Sequence, residues 1–257
     1  MEIRKTTGIA LSSRASGEAD IICNFYTKDF GKRRFIFKGL KKSKKRSRSA
    51  TEPGAVASMM FYHRDDRDYG IVNEFDIEKY HPSLTGDLPR IFNLYFILES
   101  VDKTCGYNVA DEAIYTLLLS GIETLATTEF PAHLSTFFIV RLLKHHGILP
   151  ETGSCKICGK ERYSGFTLDL IDLRPVCDSC ISDTSYGPLR RSVLLPADMR
   201  EYMGEAIARK FSDIDQGSHR EDDVLDLLFN LTLFIENYFH MELKSKSFIF
   251  SERFRQV

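Results

Sequence analysis

The sequence has no apolar run fit to cross a membrane. Its most apolar stretch, Val224 to Leu243, is cut by Asp226, Glu236, His240 and Glu242, charges a spanning helix would not carry. The opening residues, Met1 to Lys5, lack the apolar h-region of a secretory signal. Cysteine is scarce: six in 257 residues is far below the density of a disulfide scaffold. The expected compartment is therefore the reducing cytoplasm, where paired cysteines are metal ligands more often than disulfides. Also missing are the phosphate-cradling G-x₄-G-K-[ST] and G-x-G-x-x-G loops, H-E-x-x-H and G-x-S-x-G. No catalytic constellation is visible, and the reading is of a protein that is not an enzyme.

Net negative charge is also nearly absent, at −1 overall, but that average hides two opposite parts. Residues 1–51 hold 14 Lys and Arg against 4 Asp and Glu, a balance of +10; residues 52–257 hold 21 against 32, a balance of −11. Such asymmetry points to nucleic-acid or membrane contact. A 43% hydrophobic share gives the chain enough apolar material for a core and excludes whole-chain disorder.

Five short β-rich runs, Ile3–Leu11, Ala19–Tyr26, Arg33–Lys38, Ala55–Tyr62 and Tyr69–Ile77, are separated by turn signals at Ser16-Gly17, Asp29 to Gly31, Glu52 to Gly54 and Asp65-Asp66. Five strands before any helix predict a small barrel, an OB-fold or an SH3-like one. The period then becomes helical. Ile91, Leu94, Tyr95, Leu98 and Val101 share one face, and helices follow over 109–126, 131–146, 192–210 and 221–243. The expected class is an α+β multidomain protein. It comprises a five-stranded β-barrel (1–80), a helical domain in two parts (81–150 and 188–257) and an inserted four-cysteine, zinc-ribbon-like module (151–187).

Cys155 and Cys158, and Cys177 and Cys180, form two C-x₂-C pairs 18 residues apart. Four thiolates on two tight turns suit one tetrahedral zinc, closed and structural. A redox C-x₂-C would stand alone near a βαβ pattern, and none is present. Cys23 and Cys105 lie in apolar contexts and read as buried small hydrophobes. His145 and His146 close a helix and complement its macrodipole. Asp65, Asp66 and Asp68 read as a hairpin turn, with a cation site as the rival.

Residues 32–48 carry ten positive charges and no negative one. A run this dense calls for an external counter-charge, and phosphate backbone supplies it. By strand alternation Arg33, Phe35 and Phe37 share one face and Arg34, Ile36 and Lys38 the other. The phosphate-binding set is Arg33, Arg34, Lys38, Lys41, Lys42, Lys44, Lys45, Arg46 and Arg48, although the alternation puts Arg33 on the phenylalanine face. Lys41 to Arg48 reads as a mobile, serine-rich loop. A solvated edge guard and an acidic membrane surface are the competing readings.

Several stretches resemble the RecO family of bacterial recombination mediators. They are Gly8 to Leu11 with Gly17 to Asp20; Thr27, Gly31-Lys32 and Phe37 to Gly39 with Pro53 after the loop; and Leu98 to Asp102. The most specific is Phe138 to Pro150 leading into Cys155 and Cys158, and Tyr238 to Phe248 resembles the closing helix. The resemblance implies an OB-fold, a helical domain and, in many members, a four-cysteine zinc site. It also implies binding to single- and double-stranded DNA, annealing of complementary strands, and partnership with RecR and the tail of single-stranded-DNA-binding protein to help load RecA. Arg141, inside the most specific stretch, is the candidate for meeting that tail, with packing by its stem as the alternative. A zinc-ribbon RNA binder and a nucleic-acid-processing enzyme are the rival classes.

Overall fold

The computed structural model describes residues 2–64, 67, 69–149, 153–181, 192–214 and 219–250. Asp65, Asp66 and Asp68, most of the Ile181–Ser192 stretch and half of Asp213–Arg220 lie outside the described residues. The chain divides into two compact units, Met1–Ala126 and Thr127–Val257.

In the first unit, β1 (Glu2–Ser16), β2 (Asp20–Thr27), β3 (Gly31–Phe37), β4 (Val56–His63) and β5 (Tyr69–Lys79) close a barrel in the order β1-β2-β3-β5-β4. β3 and β5 are parallel and all other pairs are antiparallel. This closure is that of an OB-fold, which settles the choice that periodicity left open. β1 is longer than expected because it serves two neighbours: Glu2 to Ile9 pair with β4, and Gly8 to Ser16 with β2. A register shift between Ala10 and Ser12 lets it bend from one to the other.

Alternation fills the barrel. Phe25, Phe35, Phe37 and Phe61 are fully buried, and Phe35 meets Phe61 edge to face at 5.0 Å. Each such side chain contributes about 1.5–3 kcal/mol of burial. Gly70 on β5 leaves room for this packing, since a Cβ there would come within 2.6 Å of the Phe61 ring. Gly31 has a left-handed φ of 63°, and a Cβ would collide with the Val109 carbonyl.

Two helices complete this unit, so the compact division falls later than the change from strand to helix at residue 80. α1 (Leu88–Thr104) is capped by Asp87, whose carboxylate accepts from Arg90 N. α2 (Glu112–Leu125) is capped by Asp111, which accepts from the amides of Ala113 and Ile114. Asp102 of α1 ties that helix to the barrel by accepting from Ser12 Oγ at 3.1 Å and Asn24 Nδ2 at 3.3 Å. Buried Lys32 donates to the Asp102 carbonyl.

In the second unit α3 (Pro131–His145) packs against α5 (Met199–Ala208) and α6 (Glu221–Tyr238). Between α3 and α5 in sequence lie β6 (Gly165–Leu168), β7 (Pro175–Cys177), the short α4 (Asp178–Ile181) and β8 (Leu195–Pro196), the strands forming a sheet in the order β7-β6-β8. The helix expected over 192–210 is shorter because Leu195 and Pro196 pair with β6 instead. Buried Asn230 fixes that approach, accepting from Val193 N and donating to Val193 O, both at 2.7 Å. α6 stops at Tyr238 rather than 243. His240 turns left-handed at φ 50°, and Glu236 reaches on to accept from Leu243 N at 2.8 Å and pair with Lys246 at 2.7 Å.

Candidate nucleic-acid interface and metal centre

The adjacent arginines of β3 go opposite ways. Arg33 is 3% exposed. Its guanidinium donates to Asn108 Oδ1 at 3.1 Å, meets His63 Nδ1 at 2.8 Å and lies over the Phe30 and Phe61 rings. Pleat alternation thus turns Arg33 inward, against the expectation that it faces phosphate, and Asn108 and His63 are among the groups that hold it there. Arg34 turns outward, donating to Tyr107 Oη at 3.3 Å with its guanidinium over that ring.

The expected mobile loop is a folded turn. Leu40 and Ala50, which bracket its charges, are both fully buried, and short 3-10 turns run over Leu40–Lys42 and Arg48–Thr51. Ser43 Oγ accepts from Lys45 N and Arg46 N, and the Ser47 side chain accepts from Ser49 N. The serines read as loop filler in the sequence are the groups that shape it.

On this frame the cations fall into three groups. Arg46 donates to Lys38 O at 2.5 Å, Arg48 to Lys41 O, and Lys41 to Gly17 O at 3.2 Å; carbonyls position these charges without cancelling them. Lys38 pairs with Asp20 at 2.7 Å and Lys42 with Glu18 at 2.9 Å, on exposed surface. Lys44 and Lys45 are exposed and have no side-chain partner among the described residues. Lys38 and the Gly39 amide hold the Asp20 carboxyl below the usual carboxylate range. Seven cations from Lys38 to Arg48 face two paired carboxylates among the described residues, Asp20 and Glu18.

The four predicted cysteines come together, with all their sulfurs within 4.8 Å of one another. Cys158 Sγ and Cys177 Sγ are 3.7 Å apart, close to the about 3.8 Å edge of a tetrahedron with ~2.3 Å metal–sulfur bonds. Cys155 and Cys158 lie on a turn that Gly159 closes at φ 71°, with Gly159 N donating to Cys155 O at 3.0 Å. Cys177 ends β7 and Cys180 sits in α4. Burial resists ionisation of Cys155, but the amides of Cys177, Cys158 and Ile157 outweigh it and bring the thiol down to about 6. Burial and the neighbouring thiols push Cys180 up to about 12. One thiolate thus forms readily, and a cation bound among the four would release the other protons. The donor set fits a closed structural metal site.

Cys23 and Cys105 are buried, and desolvation raises both thiols, Cys105 to about 11. This is the inert state of a packed cysteine. His146 follows α3 and meets Phe239 edge to face at 5.3 Å. Arg141 is a clamp: Nε donates to Ala206 O at 2.6 Å, an Nη donates to Arg209 O, and the guanidinium covers the Phe211 ring at 4.2 Å. It thereby satisfies carbonyls at the C-terminal end of α5, where a cation complements the macrodipole.

Sequence reasoning missed Tyr107, Asn108 and Asp102 as partners of the β3 cations. They lie some 70 or more positions away in sequence, and only the folded barrel brings them close.

Together these features define an OB-barrel protein with a cationic surface turn and a four-cysteine metal-binding module. Comparison with known families agrees. The family Recombination protein O N terminal matches residues 1–81, and Recombination protein O C terminal matches residues 85–246. A DNA repair protein RecO of Thermoanaerobacter sp. (strain X514) is 23% identical over 250 residues, covering 97% of this chain and 98% of that one. One from Leptospira biflexa is 25% identical over 254 residues, covering 95% and 96%, and one from Moorella thermoacetica is 30% identical over 154 residues, covering 60% and 57%. The chain belongs to the RecO family of DNA repair proteins. Among the described residues, no helix is long and apolar enough to cross a membrane.

Proposed function

We propose that this protein is a recombination mediator that binds single- and double-stranded DNA through the barrel's cationic turn and anneals complementary strands. With RecR it helps load RecA onto DNA coated by single-stranded-DNA-binding protein. It acts in the cytoplasm by binding rather than turnover, with residues 1–80 as the DNA-binding domain. The observation that carries the reading is the turn itself: Lys38, Lys41, Lys42, Lys44, Lys45, Arg46 and Arg48 follow the outward Arg34 of β3 on one folded segment, where Glu18 and Asp20 are the carboxylates paired with them among the described residues. Neutralising charge on two strands at once lowers their mutual repulsion, which is the physical basis of annealing.

One zinc ion, held by Cys155, Cys158, Cys177 and Cys180, braces the module between β6 and α4 and supplies no chemistry of its own. Arg141 holds the end of α5. If the tail of single-stranded-DNA-binding protein docks here, it meets the guanidinium edge that the Ala206 and Arg209 carbonyls leave open.

The test is annealing of complementary strands coated with single-stranded-DNA-binding protein, comparing this chain with a variant in which the cations from Lys41 to Arg48 are changed to glutamine. Annealing should fall sharply, and DNA affinity should follow salt with a log–log slope on the order of −4 to −8. Unchanged annealing, or a flat salt response, overturns the reading.

A further inference from the structure

A small cavity of about 130 Å³ opens on the first unit, between the turn that follows Arg48–Thr51 and the start of α1. It has room for several waters at ~30 Å³ each but is well below the ~300–1,000 Å³ of a drug-sized ligand pocket. Pro53, Leu84, Ile91 and Leu94 give it apolar walls. Tyr95 borders it and is 45% exposed, unusual for so large a ring on a packed helix.

One part of the lining is polar. Tyr80 Oη donates to Glu52 Oε2 at 2.6 Å, and Ser49 Oγ donates to Glu52 Oε1 at 3.4 Å. The carboxylate has lone pairs to spare beyond these two bonds. His81 also lines the cavity, and its Nε2 is buried with no hydrogen-bond partner among the described residues. The site thus combines a flat apolar slot, an exposed aromatic ring, a carboxylate acceptor and an unsatisfied ring nitrogen. Arg48 of the cationic turn is only four positions before Glu52.

We propose that this cavity takes a single unstacked nucleobase from a strand whose phosphates lie on the cationic turn. The reading rests on the DNA-binding role proposed above and adds a base subsite to it. Tyr95 supplies a stacking surface, which tolerates any base. Glu52 accepts from an exocyclic amino group, as carboxylates do from cytosine N4. Thymine offers only its N3–H, flanked by two carbonyl oxygens that would face the carboxylate, so the cavity favours cytosine over thymine. An acidic peptide fits less well, because Glu52 would face its carboxylates without a cation in the lining.

The test uses the full chain and three labelled 12-mers of equal charge: oligo(dC), oligo(dT) and an abasic strand. By fluorescence anisotropy, oligo(dC) should bind on the order of tenfold more tightly than the abasic strand, as expected for one stacked base. Tyr95→Ala should erase most of that gap while leaving abasic affinity unchanged, which also shows that the variant is folded. Glu52→Gln, which keeps one acceptor oxygen for Tyr80 and replaces the other with an NH2 donor, should narrow the preference for oligo(dC) over oligo(dT). The base subsite is overturned if the wild-type chain binds oligo(dC) and abasic DNA equally, or if both variants keep the full gap. It is equally overturned if Tyr95→Ala changes only the binding of an acidic peptide. Failure to bind any of the three strands overturns the DNA-binding reading itself.

Discussion

Arg33 Nη2 lies 2.8 Å from His63 Nδ1 inside the barrel, while the next residue, Arg34, places its guanidinium over the exposed Tyr107. Two neighbouring arginines in one basic run therefore do different work. Arg33→Met removes the donor to His63 Nδ1 and Asn108 Oδ1, and the loss should be about 1–3 kcal/mol of stability. The salt slope of DNA binding should stay as it was. Arg34→Ala should do the reverse: little change in melting temperature, and a slope shallower by about 0.7–0.9, one phosphate's worth. Denaturant melts and salt titrations on the pair separate the two roles. An Arg33 variant that is stable but binds DNA poorly would return Arg33 to the interface.

The cations of the turn should also rank by how they are held. Lys44 and Lys45 have no side-chain partner among the described residues, so changing both to glutamine should lower the slope magnitude by about 1.4–1.8 without cost to folding. Lys38 and Lys42 must first leave Asp20 and Glu18, exposed pairs that hold only weakly against water and salt. Glu18→Gln together with Asp20→Asn should therefore tighten DNA binding severalfold at low salt, with the gain fading as salt rises. Asp20→Asn retains an acceptor for the Gly39 amide, which keeps the turn intact. Weaker binding by this double variant would show that the carboxylates organise the turn rather than compete with DNA.

Much of this architecture was legible in the sequence, for physical reasons. The alternation of Phe35 and Phe37 fixed the inward face of β3 and put Arg33 there too, although its charge argued for the surface. The expected spans 109–126 and 131–146 bounded α2 and α3 to within a few residues. The C-x₂-C spacing brought four sulfurs together because each pair is a local turn and only one long-range approach is needed. The shape of the turn from Lys41 to Arg48 was not legible, because it comes from Leu40 and Ala50 entering the core and from serine side chains bonding nearby amides. Composition alone looks the same in a mobile loop. The Glu52–Tyr80 cavity left no local signal, since its walls come from three separate segments.

The metal centre should be a matter of folding and not of DNA contact. Cys177→Ser should reduce bound zinc from one per chain to none and lower the melting temperature of the second unit, because the β6–β7 pairing ends at this residue. Binding of the barrel to a short oligonucleotide should keep its affinity and salt slope. Zinc content by metal analysis, calorimetry and anisotropy test the three parts separately. A parallel loss of DNA affinity in a variant that remains folded would place the module in the interface.

Arg141 offers the last separable prediction. Its two bonds to the carbonyls of Ala206 and Arg209 and its place over Phe211 close the end of α5. Burial lowers its pKa from the usual guanidinium value, yet it stays cationic throughout the accessible pH range. Arg141→Ala should cost about 1.5–3 kcal/mol, the range for hydrogen bonds made by a charged group. Arg141→Lys should recover only part of that, because an ammonium cannot span both carbonyls and stack on a ring as the planar fork does. A second role in partner binding predicts something different. Arg141→Lys, once shown to be folded, should lose affinity for an acidic peptide by more than its small change in stability explains. Equal peptide binding by the two chains would leave Arg141 a structural clamp alone.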